Sequence, residues 1–168
     1  MNLTLAAWNQ AEEAVALEAM LACCGAKRWA AAMVNLRPVG TVRELSEAAD
    51  RFWGTMQEAD WLEAFACHPR IGEHKAVATG QSAAWSKQEQ SRATTASERL
   101  LAELAEANQL YEQHFGFTYI VCATGKSAAE MLVILKRRMG GTRESELREA
   151  AEQQRQIMQI RLGKWLVE

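Results

Sequence analysis

An all-α fold is what this sequence predicts, on three observations. Long stretches consist of Ala, Leu, Glu, Gln and Arg, the residues that lose least on entering a helix. Only two prolines, Pro38 and Pro69, interrupt 168 residues. Three Ser/Thr-x-x-Glu pairs, Thr41/Glu44, Ser86/Glu89 and Ser127/Glu130, have the spacing of a capping box, in which each residue satisfies an orphan amide of a first helical turn. The expected architecture is one domain over residues 1–168, a bundle of about seven to eight helices with one long loop and one buried extended connection.

The elements follow in order. "AEEAVALEAMLA" (11–22) reads as a helix that Gly25 ends. "AKRWAAAMVNL" is a second, closed before Pro38 because the residue preceding proline is pushed out of helical geometry. Thr41 and Glu44 open "TVRELSEAADRFWGTM". "EADWLEAFAC" runs to His68, where Pro69 stops it. Between Arg70 and Ala84 the pattern dissolves around Gly72 and Gly80, the longest loop of the chain. Ser86 and Glu89 then read as a helix start. A long helix over 97–115 carries Leu100, Leu101, Leu104, Leu110 and Tyr111 on its apolar face and stops at Gly116. "FTYIVCATG" (117–125) alone has strand character, and a lone strand has no partner for its backbone groups. It is therefore expected as an extended connection buried between helices. Ser127 and Glu130 open "AAEMLVILKRRM", Gly140 and Gly141 break it, and a last helix covers 143–166.

Composition narrows the function. Hydrophobic residues make up 49% and charged residues 24%, the balance of a globular chain with a core. With a net charge of -2 and no basic stripe, nucleic acid is not an expected partner. The cysteines Cys23, Cys24, Cys67 and Cys122 form no C-x-x-C pair, so neither a zinc site nor a disulfide framework is expected, and a reducing cytoplasm suits them. "MNLTLAAWNQ" lacks the form of a signal peptide, no apolar run reaches the ~20 residues of a membrane span, and "KWLVE" is not a peroxisomal address.

Several residues stand out against bland alternatives. "ATGKSA" ends like a phosphate loop, but Ile120 stands where the motif needs glycine, so a loop into a capped helix is expected. His68 and His74 are six apart, beside Glu73, and not at the i, i+4 spacing of helical metal ligands; no metal is expected. His114 reads as structural, near a helix C-terminus that favours a cation. Capping suffices for Ser86 and Glu89 but does not explain Gln90. In the last helix Leu147, Ala151, Met158, Leu162 and Trp165 mark an apolar stripe, and Arg161 falls on it. An inward guanidinium needs a partner, either a buried ion pair of the fold or a bound anion. Arg138 is a milder case at a helix end.

"HPRIGE" (68–73), "SKQEQ" (86–90), "FGFTYIVCATG" (115–125) and "IRL" (160–162) occur in that order, with "RPVG" (37–40) before them. As a set they resemble the decarboxylase family of 2-oxo-4-hydroxy-4-carboxy-5-ureidoimidazoline (OHCU), over nearly the whole chain. Arg70 is a departure, since an acidic residue stands there in other members. The resemblance implies the third step of urate breakdown, decarboxylation of OHCU to (S)-allantoin, on an all-helical, cytoplasmic homodimer without metal or organic cofactor. It implies His68, Glu89 and Arg161 as catalytic residues, with Arg138 the alternative arginine. It implies Pro69, Ser86, Gln90, Ile120, Val121, Cys122 and Ala123 as substrate-binding. The chemistry needs no cofactor: the carbon bearing the carboxylate adjoins a ring C=N bond that accepts the electron pair, a role other decarboxylases give to a pyridoxal ring. Rival readings are a non-catalytic helical interaction module and, below it, a metal-dependent hydrolase using His68 and His74.

Overall fold

The structure, a computed structural model, describes residues 2–71, 80–90 and 97–168. Among them stand nine helices and no strand: α1 (Leu3–Gln10), α2 (Glu13–Cys23), α3 (Lys27–Asn35), α4 (Val42–Trp53), α5 (Glu58–Ala66), α6 (Gln81–Glu89), α7 (Glu98–Phe115), α8 (Ala128–Arg138) and α9 (Arg143–Trp165). No helix of the described residues is long and apolar enough to cross a membrane. The helices group into two compact units, Met1–Ala64 with Arg155–Glu168, and Phe65–Gln154. Helices α5 and α9 contribute residues to both.

The first unit packs α2 on α3 and α3 on α4. Its core holds Trp8, Met20, Trp29, Met33, Leu45, Met158 and Leu162. Each buried indole needs an acceptor: Trp8 donates to the Ala16 carbonyl at 3.0 Å and Trp29 to that of Ala49 at 3.1 Å. Helix α1 is an element the sequence pattern does not announce. Its apolar residues form no clean stripe, and its signal is Asn2, whose side chain caps it by accepting the Leu5 amide. Arg37 donates to the carbonyls of Trp8 and Ala11 at 2.7 and 2.8 Å, satisfying the end of α1. Asn9 brackets Val39, donating to its carbonyl and accepting its amide at 2.8 and 2.9 Å.

In the second unit α7 packs against α8. Gly116, at φ 82°, gives α7 the left-handed end that glycine adopts without strain. The next residues form the expected extended connection: Phe117 and Tyr119 through Ala123 are buried. Tyr111, Phe115, Phe117 and Tyr119 cluster with ring centroids 4.7–6.2 Å apart. Against them lies the ion pair Arg138–Glu146, 2.8 Å long and with both side chains 5% exposed. Tyr111 donates to the same carboxylate at 2.6 Å.

The three capping boxes fare differently. Ser127/Glu130 is complete. Thr41 accepts the Glu44 amide as expected, while Glu44 reaches one residue further back, to the Gly40 amide. Ser86/Glu89 is not a cap. Helix α6 starts five residues before Ser86, after Gly80 at φ 66°, and the Ser86 carbonyl accepts the Gln90 amide at 3.2 Å as part of its last turn. Trp85 and Ser86 are both buried, so an inward face that begins before the serine fixes this helix, and the serine is interior to it. Helix α5 ends at Ala66, two residues before His68; the His68 amide closes the turn on the Phe65 carbonyl at 3.1 Å.

Replacing Glu146 alone by leucine strands a buried guanidinium and should cost about 3–5 kcal/mol, whereas pairing it with Arg138→Met should recover only part of that loss, because the Ile120 carbonyl and the Tyr111 hydroxyl then lose their partners. Denaturant midpoints of the two variants against the wild type check this. Burial, reinforced by the bond to Glu146, raises the Tyr111 phenol above its ordinary range, and burial does the same to Tyr119. The folded chain then keeps protons that the unfolded chain releases. The contribution is complete below pH about 10 and is lost as pH rises above it. Urea unfolding across alkaline pH should show stability falling steeply from about pH 10.

Candidate active site

Nine of the ten residues singled out in the sequence lie in the second unit. The turn after α5 exposes Cys67 and half-buries His68, Pro69 and Arg70. Pro69 removes a donor and forbids the helix from continuing, which leaves the imidazole at the end of a rigid stub. Arg70 braces the stub from the other side. Its Nε and a terminal nitrogen clasp the two oxygens of Glu112 on α7, the fork-on-carboxylate geometry peculiar to arginine. The unusual residue at position 70 thus has an acidic partner on a neighbouring helix.

Across from this turn stands Gln154 of α9. His68 Nε2 and Gln154 Oε1 are 2.6 Å apart. Gln154 is 0% exposed, and its Nε2 has no hydrogen-bond partner among the described residues. The sequence reading missed it, although Gln154 lies on the stripe used to single out Arg161, three residues after Ala151 and four before Met158. Glu146, also buried, was missed as well.

Ser86, Glu89 and Gln90 occupy the last turn of α6 at i, i+3 and i+4, hence on one face. Ser86 is buried and the other two are half-buried. A helix start at Ser86 and Glu89 would have placed them at its positive end. They sit instead at the negative end of the helix dipole. That end disfavours an anionic ligand group beside Glu89 and suits N–H donors facing its carboxylate.

The extended connection supplies Ile120, Val121, Cys122 and Ala123, all buried. With no strand among the described residues to pair with it, side chains satisfy its backbone. Arg138 donates to the Ile120 carbonyl at 2.7 Å, Gln153 accepts the Cys122 amide at 2.8 Å, and Lys126 donates to the Cys122 carbonyl at 2.7 Å. His68 and this segment are therefore tied to consecutive residues of α9, Gln154 and Gln153.

Arg161 belongs to the first unit. It is 3% exposed, as its place on the stripe requires. Its charge acts on Cys23, whose thiol burial raises and Arg161 lowers, burial prevailing. Arg138 is committed within the second unit: its Nε holds Glu146, one terminal nitrogen holds Ile120, and its guanidinium lies 5.0 Å over the Tyr119 ring. Among the described residues no three His, Cys, Asp or Glu side chains are grouped as metal ligands. Gly72, Glu73 and His74, and with them the paired-histidine reading, lie outside the described residues.

Known proteins resemble this chain throughout. The family model for OHCU decarboxylase matches residues 9–163. The uric acid degradation bifunctional protein TTL of Arabidopsis thaliana is 39% identical over 144 residues, which are 84% of this chain and 44% of that protein, so the chain spans less than half of that relative. The 2-oxo-4-hydroxy-4-carboxy-5-ureidoimidazoline decarboxylase of Amia calva is 28% identical over 135 residues, 79% of this chain and 77% of that one. A crystal structure of OHCU decarboxylase in the presence of (S)-allantoin superposes with a TM-score of 0.79 at 35% identity, over 94% of this chain and all of the other. On these matches the chain belongs to the OHCU decarboxylase family.

Proposed function

We propose that this protein is a carboxy-lyase that converts OHCU to (S)-allantoin in urate degradation. The observation that carries the reading is the family match, which runs through residues 9–163 and so includes every candidate site residue. The protein works as one catalytic domain over its 168 residues, as a cytoplasmic homodimer and without a cofactor.

The reaction dictates what the residues must do. The bond to the carboxylate breaks and carbon dioxide leaves. The bonding pair forms a double bond to the adjacent ring carbon, and the C=N pair moves onto nitrogen, which takes a proton. The resulting enol gives up its hydroxyl proton while the ring carbon bearing the ureido group gains one on a single face. One proton is taken up overall. The protein orients the carboxylate, places charge, and manages two protons.

His68 is the acid/base at the hydroxyl and carboxylate; an imidazole, with an ordinary pKa of about 6.5, exchanges protons readily at neutral pH. Glu89 accepts from ureido and ring N–H groups, the ligand chemistry that the end of α6 favours, and Gln90 pairs with N–H and C=O groups beside them. Ser86 reaches the same ligand, Pro69 lines the pocket, and the segment from Ile120 to Ala123 offers it backbone. Because Arg138 already holds the Ile120 carbonyl, Gln153 and Lys126 hold both backbone groups of Cys122, and the Lys126 amide holds the Ala123 carbonyl, the amide of Ile120, the backbone of Val121 and the amide of Ala123 are the groups offered. Arg161 binds an anionic oxygen. It is preferred to Arg138 because it falls on the apolar stripe of the last helix.

Freshly generated OHCU decays to racemic allantoin without an enzyme. Adding this protein should give the S enantiomer, followed by optical activity; a product that stays racemic overturns the reading. His68→Asn should lower turnover by at least a hundredfold with helical content unchanged. Arg161→Lys replaces a planar fork by a point charge and should weaken allantoin binding about tenfold by calorimetry. Unchanged binding would return the assignment to Arg138.

A further inference from the structure

Two neighbouring glutamines of α9 point their amide oxygens at two different parts of the candidate site. Gln153 donates through Nε2 to Glu149 at 3.0 Å, which orients its Oε1 toward the Cys122 amide. Gln154 sets Oε1 against His68 Nε2 at 2.6 Å, and its own amide nitrogen is buried without a partner among the described residues. Methionine has the same length and would fill this fully buried place without a stranded donor. Burial alone therefore does not account for a glutamine here.

We infer that Gln154 is a positioning residue for His68, holding the neutral imidazole as its Nε2–H tautomer. An amide oxygen only accepts, so the ring nitrogen facing it carries the hydrogen. A neutral imidazole carries one hydrogen, which makes Nδ1 the nitrogen that takes up and returns a proton. Gln153, one residue earlier, holds the Cys122 backbone from the same turn of helix and so sets the ring in register with the extended segment. This role rests on the proposed decarboxylation, in which His68 is the acid/base.

The test is nitrogen NMR of the uniformly 15N-labelled full chain. The His68 ring is assigned among His68, His74 and His114 by its loss in His68→Asn. Above its titration, the wild-type ring should show one neutral tautomer with hydrogen on Nε2; hydrogen on Nδ1 overturns the inference even if no variant folds. In Gln154→Met the ring should become a mixture of tautomers, with kcat falling roughly 10- to 100-fold and KM held within about threefold. A Gln154→Met enzyme within about twofold of wild type in kcat, or with its ring tautomer unchanged, would also overturn it. A wild-type protein that makes no (S)-allantoin defeats the proposed reaction instead, and the tautomer of its ring still decides the contact.

Discussion

A buried stretch of extended backbone, with no neighbouring strand among the described residues, is the constraint around which the second unit is organised. Every buried amide and carbonyl there must find a partner or cost stability. Tyr119 to Ala123 is such a stretch, and the chain meets the demand with side chains rather than a sheet. The guanidinium of Arg138 takes one carbonyl, Lys126 another, and Gln153 an amide. Arg138 must then be buried, a buried guanidinium demands Glu146, and the tyrosines fill the space around the pair. A segment held this way has its register set by several elements at once, a requirement for backbone that recognises a ligand.

The polarity of α6 shapes the chemistry in a similar way. A carboxylate on the last turn of a helix lies among carbonyls at the negative end of the dipole. It is suited to receiving hydrogen bonds and poorly suited to sharing space with an anion. OHCU carries both kinds of group, a carboxylate and a set of ureido and ring N–H donors. Under the proposed reaction the end of α6 would meet the second kind, leaving the carboxylate to cationic side chains.

Much of this was legible in the sequence, for reasons that differ between elements. The helix class followed from Ala, Leu, Glu and Arg content and from the scarcity of proline, both averaged over many residues. The buried connection followed from the impossibility of a lone strand, an argument of exclusion. Local signals fared worse. Ser-x-x-Glu marks a helix start only where no helix already runs, and at Ser86 one does, because the buried Trp85 turn draws the helix back to Gly80. Helix α1 escaped because a cap at Asn2 without an apolar stripe is a faint signal. In the candidate site, the residues carried by short motifs, His68, Pro69 and Ser86 to Gln90, were visible. Gln154 was not: a glutamine on a polar helix looks ordinary until its position on the apolar stripe is counted, and its partner lies 86 residues away in the chain.

The distribution of the four cysteines has a practical side. Cys23, Cys24 and Cys122 are buried, while Cys67 stands at the surface immediately before His68. A maleimide dye offered to the native protein therefore meets a single accessible sulfur, and attachment there puts a fluorophore one residue from the imidazole without any engineering of the chain. Ligand entry and departure near that turn become open to fluorescence spectroscopy on the natural sequence.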